Sequence, residues 1–374
     1  MINLERLKET FIHLVRLASP SKQEGLVASY VKEYLNELGI AWTEDKAKDV
    51  LGSTCGNIVG WVDGEGDIPL MLNAHLDTVQ KPGEEIVVRE KNGILKSDGT
   101  TILGADDKSG VAIILEVLRT IKEHNLPHPP LQPVFTICEE IGLLGAKHLD
   151  YSLLKAKWGL VLDGGNPAEI IHRAPTANRL QIKVMGKAAH AGVHPEEGIN
   201  AIWLAAKAIS SLQLGRIDEE TTCNLGLIEG GTATNIVPDE VVIKGEVRSH
   251  KKEKLEAQTE KIINAFKETL KAVPKKGDLP KIEISVKDDY PLMYVKEDHP
   301  LIQLAKRAGE RLGLNMQLKV SGGGSDANIF NDKGIVSIII GTGMKKVHTC
   351  EELIPLQDME KSANLLLNII TLKP

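Results

Sequence analysis

Apolar residues recur along this chain in two rhythms. Residues 3–17 and 22–38 repeat them at helical spacing, and Gly39 stops the second run. Short, almost wholly apolar runs follow at 57–62, 68–74 (IPLMLNA), 133–138 (PVFTIC), 158–162 and 336–340. Runs of that length read as strands buried on both faces. From Lys108 onward the spacing is helical again, as it is in HPLIQLAKRAGERLG and in residues 355–372. Strands alternating with helices predict an α/β fold: an open, mixed, mainly parallel sheet with helices on both faces.

Between residues 176 and 289 the rhythm changes. A strand at 178–185 is followed by a helix at 199–212 and strands at 222–229 and 237–248. A charged helix at 251–272 and a strand at 281–286 complete the segment. That order is the ferredoxin-like one. Residues 1–175 and 290–374 are therefore expected to form one domain, with residues 176–289 inserted as a second. A length of 374 residues fits two cores better than one.

Composition narrows the partners. A net charge of -6 gives no electrostatic case for nucleic acid or for an anionic membrane surface. No apolar run reaches the ~18 residues a membrane span needs. The first segment interleaves charges with apolar residues, unlike a signal peptide. Cys55, Cys138, Cys223 and Cys350 are scattered without paired spacing, which predicts a reduced, cytoplasmic protein.

Candidate chemistry sits where the apolar runs end. His75 and Asp77 follow the 68–74 run in HLDT, Glu139 and Glu140 follow 133–138, and Asp163 follows 158–162. Asp106 and Asp107 stand at a helix entry, and His348 lies in a later loop. One Asp at a helix entry is by default an N-cap, which accounts for one of that pair but not both. Adjacent carboxylates after a buried strand repel each other and resist desolvation, and a cation relieves both costs. Nitrogen and carboxylate ligands without thiolate suit a hydrolytic zinc, cobalt or manganese centre. A free carboxylate beside such a centre suits water activation. Ligands at strand ends also match the usual site of an open α/β sheet.

Other polar residues are less distinctive. His190 and His194 lie in a small-residue loop, Asn235 precedes Ile-Val-Pro-Asp, and Arg248 ends a strand. On local grounds each is as readily a surface residue or turn former as a functional one. The loop SGGGSDANIF offers the backbone N–H groups of Gly323 and Gly324 to an anion, but no Gly-Lys-Ser/Thr closes it as a phosphate loop.

Taken together and in order, NAHLDTV, LGADDKSG, CEEIGLLGAKHLD, VLDGG, GKAAHAGVHPEEGINA, GTATNIVPD, GGGSDAN and VHTCEE carry a resemblance. The chain resembles the dinuclear zinc aminopeptidase/carboxypeptidase superfamily, which includes peptidase T, aminoacylase and succinyl-diaminopimelate desuccinylase. Within it the chain is most similar to the peptidase T-like branch. The resemblance implies two divalent metal ions, with zinc foremost and cobalt or manganese as alternatives. His75 and Asp163 would bind one ion, Glu140 and His348 the other, and Asp106 would bridge them. Asp77 would orient His75, and Glu139 would be the general base and then the general acid. The inserted domain would be a lid that forms a homodimer, with His190 reaching the neighbouring subunit's site. Asn235 and Arg248 would contact a short peptide substrate, Arg248 through its carboxylate. The implied activity is that of a tripeptide aminopeptidase. One departure matters: the peptidase T pattern has Arg-Gly-Gly-Thr-Asp where this chain has Ser321 to Asp326 without arginine. Dipeptidase, carboxypeptidase and N-acyl amino acid hydrolase activities therefore stay open. A non-catalytic binding protein would be expected to lack some of these ligands or the base, and none is missing.

Overall fold

The computed structural model describes residues 1–372. It divides into two compact units: residues 1–174 with 293 onward, and residues 175–292.

The first unit is built on a nine-stranded sheet. Its spatial order is Ala41–Glu44, Ile58–Trp61, Leu131–Thr136, Leu70–His75, Trp158–Gly164, Val336–Gly341, Glu169–Ala174 and Met293–Tyr294, with Gln317–Val320 joined to Glu169–Ala174. The four strands from Leu131–Thr136 to Val336–Gly341 run parallel, and antiparallel pairings flank them. Every residue of Leu70–His75 and Leu131–Thr136 is buried, as a two-sided sheet requires. Leu70, Leu72 and Ala74 pack into a core with Val111, Ile114, Leu115 and Leu118 of the helix Ala105–His124. The helix Leu4–Arg16 lies against that helix and is capped by Asn3, whose side chain accepts from Arg6 N–H. The short helix Asp326–Asp332 packs on Trp158–Gly164 and Val336–Gly341. Ser325 and Asn328 close its first turn as a capping box.

The second unit is a five-stranded antiparallel sheet in the order Gly215–Arg216, Thr221–Gly230, Glu240–Ser249, Thr176–Met185 and Lys281–Tyr290. Leu180, Ile182, Val184, Ile243 and Val247 face one core with Leu204, Ala208, Ile262 and Phe266 of its two helices. Arg179 and Gln181, at the alternate positions, are exposed. The four long strands have the ferredoxin-like arrangement.

Most element ends differ from the sequence expectation by one to four residues, the inserted unit runs over 175–292 rather than 176–289, and two of the differences have a clear cause. The 133–138 run leaves the sheet at Thr136, because Cys138 takes a left-handed φ of 54° and its N–H turns to the Glu24 carboxylate. The last strand of the second unit continues to Tyr290, since Lys287 and Asp288 still pair with Arg179 and Asn178. A polar run ends an apolar pattern without ending a ladder.

Candidate metal centre

Three parallel strands bring their carboxyl ends to one edge of the first unit's sheet. His75 is the last residue of Leu70–His75, Asp163 lies near the end of Trp158–Gly164, and Glu139 and Glu140 follow Leu131–Thr136 closely. Asp106 enters from the break at the start of Ala105–His124. There Asp106 (φ -82°, ψ 104°) and Asp107 (φ -120°, ψ 32°) depart from helical dihedrals. His348 comes from a loop and is 48% exposed in its side chain.

Asp106 is shared between two imidazoles. Its Oδ1 lies 3.1 Å from His75 Nε2, and its Oδ2 lies 3.2 Å from His348 Nε2. Asp163 Oδ1 is 4.0 Å from His75 Nε2, and Glu140 Oε1 is 3.0 Å from His348 Nε2. Two ligand groups result: His75, Asp106 and Asp163; and Asp106, Glu140 and His348. Within each, the donor atoms lie within 4.8 Å of one another. Nitrogen and oxygen ligands bound at about 2.0–2.2 Å to a common ion stand about 3 Å apart. The donor set and spacing therefore fit a pair of divalent ions bridged by Asp106. Glu139 belongs to neither group.

The supporting contacts refine the sequence expectations. His75 Nδ1 is 3.0 Å from the Asp77 carbonyl and 3.5 Å from its carboxylate. The backbone oxygen is thus the nearer partner for Nδ1–H, leaving the Nε2 lone pair for an ion. The Asp77 carboxylate serves the other strand end: Oδ1 accepts from Glu139 N–H at 2.9 Å and Oδ2 from Glu140 N–H at 3.2 Å. Ser21 Oγ donates to the same Oδ2 at 2.6 Å. Of the Asp pair, Asp107 is the capping one. Its carboxylate accepts from Gly110 N–H, three residues on, and from His75 N–H, both at 3.2 Å. Gly110 must be small, because a Cβ there would meet Leu162 O at 2.4 Å.

Buried carboxylates crowd this site. Burial pushes the carboxyls of Asp107, Glu139 and Asp163 well above the ordinary range, and neighbouring carboxylates push the same way. Burial also raises Glu140, against the pull of His348. Burial works against a charged His75, yet Asp106 and Asp77 hold its pKa well above the usual value. Asp106, then Glu140, raises His348 to about 10. Divalent cations would relieve this crowding of buried carboxylates.

The remaining candidates fall elsewhere. In the second unit, His190 and Asn235 are brought together: Ala191 N–H donates to Asn235 O and Val237 N–H to Ala189 O, both at 2.9 Å. Both side chains are exposed. His194 is also exposed and pairs with Glu196. Arg248 is half-buried and engaged with Glu246, its Nη2 donating to Oε2 at 3.0 Å. In the first unit, Gly323 N–H donates to Ser321 Oγ at 3.0 Å, which removes it from the expected anion cradle. Gly324 lies half-buried beside it. Ser21, Glu24 and Glu352 escaped the sequence reading because their partners are backbone N–H groups or, for Ser21, a carboxylate far along the chain. The one available signal was Glu352's place in the quoted VHTCEE.

Comparison with known proteins identifies the family. The model of peptidase family M20/M25/M40 matches residues 71–372. An uncharacterised Bacillus subtilis protein, YqjE, is 41% identical over 372 residues, covering 99% of each chain. Peptidase T of Fusobacterium nucleatum is 28% identical over 98% of this chain and 97% of its own. Among solved structures, a Staphylococcus aureus tripeptidase superposes with a TM-score of 0.93 at 39% identity, covering 99% of this chain and 98% of that one. The aminopeptidase PepT of Bacillus cereus superposes with a TM-score of 0.88 at 41% identity and the same coverage. This chain belongs to peptidase family M20/M25/M40, as a peptidase T-like member.

Proposed function

We propose that the protein is a dinuclear metallopeptidase that removes the N-terminal residue of tripeptides. The observation that carries this reading is Asp106, whose two carboxylate oxygens face two different histidines at 3.1 and 3.2 Å. The similarity to a tripeptidase and to an aminopeptidase PepT, each near 40% identity, directs it toward tripeptides. Zinc is the proposed metal, given two imidazole nitrogens, three carboxylates and no thiolate in the ligand groups. A bound pair of ions would polarise the scissile carbonyl and lower the pKa of the attacking water.

The chain's own residues do the rest. Glu139 takes the water's proton and passes it to the leaving amine. Asp77 keeps Glu139 and Glu140 in place through their backbone N–H groups. His190 donates a hydrogen bond to the developing oxyanion in the partner subunit's site. Asn235 contacts substrate, and Arg248 recognises its carboxylate, for which a planar guanidinium is suited. The second unit serves as lid and dimerisation domain. The four cysteines are free, which fits a reducing compartment, and we place the enzyme in the cytoplasm. No helix among the described residues is long and apolar enough to cross a membrane.

The test is a substrate panel with zinc-loaded protein. Free tripeptides should be cleaved at the first peptide bond, with higher kcat/KM than dipeptides or N-acetylated amino acids. Preferred cleavage of N-acyl amino acids would move the activity to the amidohydrolase branch, and preferred cleavage of dipeptides would make it a dipeptidase.

A further inference from the structure

Glu352 is a carboxylate with no place in either ligand group, yet it is only 1% exposed. Its Oε2 accepts from the N–H groups of Leu103 and Gly104, both at 2.8 Å. Its Oε1 accepts from Asp106 N–H at 3.1 Å. All three donors lie in the turn that presents Asp106. Glu352 itself belongs to the loop that carries His348, four residues earlier. Lys345 and Leu353 close that loop at its base through two backbone hydrogen bonds of 2.9 and 3.0 Å. Inside it, Glu352 N–H donates to Thr349 O at 3.1 Å. Beyond it, Leu353–Pro355 pairs with Ile94–Lys96.

The two ligand groups are supported differently. His75 and Asp163 stand on strands held in register by the sheet. Asp106 and His348 stand on a turn and a loop, and the Glu352 side chain bridges those two segments. We infer that Glu352 is a positioning residue: it sets the separation of His348 from Asp106 and so fits the second ligand group to its ion. This rests on the two-ion reading. The geometry calls for a side chain that accepts through both oxygens, since Glu352 faces three backbone donors. A glutamine of the same shape must point its NH2 at the Asp106 N–H, or else at the pair from Leu103 and Gly104.

The test is zinc binding to metal-free protein, read by competition with a chromophoric chelator, with cobalt(II) absorption as a second signature. For Glu352→Gln the ion of the Asp106, Glu140 and His348 group should dissociate more readily by roughly 10–100-fold, the scale expected of a group supporting a ligand. The first ion shares Asp106 but is held also by His75 and Asp163 on sheet strands, so its constant should change far less, and the cobalt spectrum should lose the second site's contribution. If the Glu352→Gln chain does not fold, Glu352→Asp supplies the same measurement. It keeps the charge but falls one methylene short, so the same selective weakening is expected. Unchanged constants for both ions would overturn the proposal. Equal weakening of both with a lowered Tm would also overturn it, leaving Glu352 a general structural acceptor. Wild-type protein that binds only one ion would overturn the two-ion reading and this proposal with it.

Discussion

Glu139 and Glu140 are neighbours in sequence with different surroundings. Glu140 Oε1 stands 3.0 Å from His348 Nε2 within a ligand group, whereas Glu139 belongs to neither group. Glu139→Gln should therefore retain both ions while kcat falls by roughly 100-fold or more, the scale of general acid–base catalysis. Glu140→Gln should instead lose the second ion. Elemental analysis beside kcat separates them, and the opposite pattern would exchange the two roles. Arg248 carries a second prediction. Its guanidinium is paired with Glu246, so a substrate carboxylate must share or replace that partner. Arg248→Ala should raise KM for peptides with a free C-terminus and leave their amidated forms unaffected. Equal effects on both would remove Arg248 as the carboxylate clamp. At this scale His75, Asp106, Glu140 and Asp163 were legible because each follows an apolar run or enters a helix, whereas His348, in a loop, stood out only through the VHTCEE motif. The capping member of the Asp pair was foreseen without saying which it was, and Glu352 was not legible, since backbone N–H groups leave no mark on a side-chain pattern.

Elements divide by how much of them is buried. Leu70–His75 and Leu131–Thr136 are buried throughout and stood out as apolar runs. The strands Arg89–Lys91, Ile94–Lys96 and Leu353–Pro355 have three residues each and too little pattern to detect. Yet the last two anchor the His348 loop. In the second unit an acidic turn is tied to the helix Lys252–Thr269. Lys254 and Lys251 hold the Glu220 carboxyl down to about 2, and its own turn's backbone and Lys254 hold Asp218 there too. A folded pKa below the ordinary 4.5 means that Glu220 contributes stability above that pH, lost as pH falls toward about 2. Glu220→Gln should thus lower Tm at neutral pH, with the deficit vanishing across that acid window. A deficit independent of pH would show that the ion pairs contribute nothing; for exposed pairs the effect is small in any case.

For the whole molecule, the second unit presents an incomplete edge. Gly215–Arg216 pairs only with Thr222 and Cys223 of Thr221–Gly230, leaving the outer edge beyond them without a strand partner among the described residues. Leu227 and Ile228 there are 57% and 56% exposed, and Ile202 and Trp203 on the helix Ala201–Ser210 are exposed as well. An open apolar edge of this kind favours pairing with a second copy. Sedimentation should report a two-chain mass, and Leu227→Glu should give monomers that keep their metal but lose turnover if His190 acts across the interface. Fully active monomers would remove the shared site. The central claim, however, is that Asp106 joins two ion sites into one hydrolytic centre. Its most direct test is to strip the protein with a chelator, return zinc in steps, and follow bound metal and tripeptide hydrolysis together. The account predicts no hydrolysis in the stripped protein and full activity only as occupancy approaches two ions per chain. Full activity in protein shown by elemental analysis to be metal-free would contradict it.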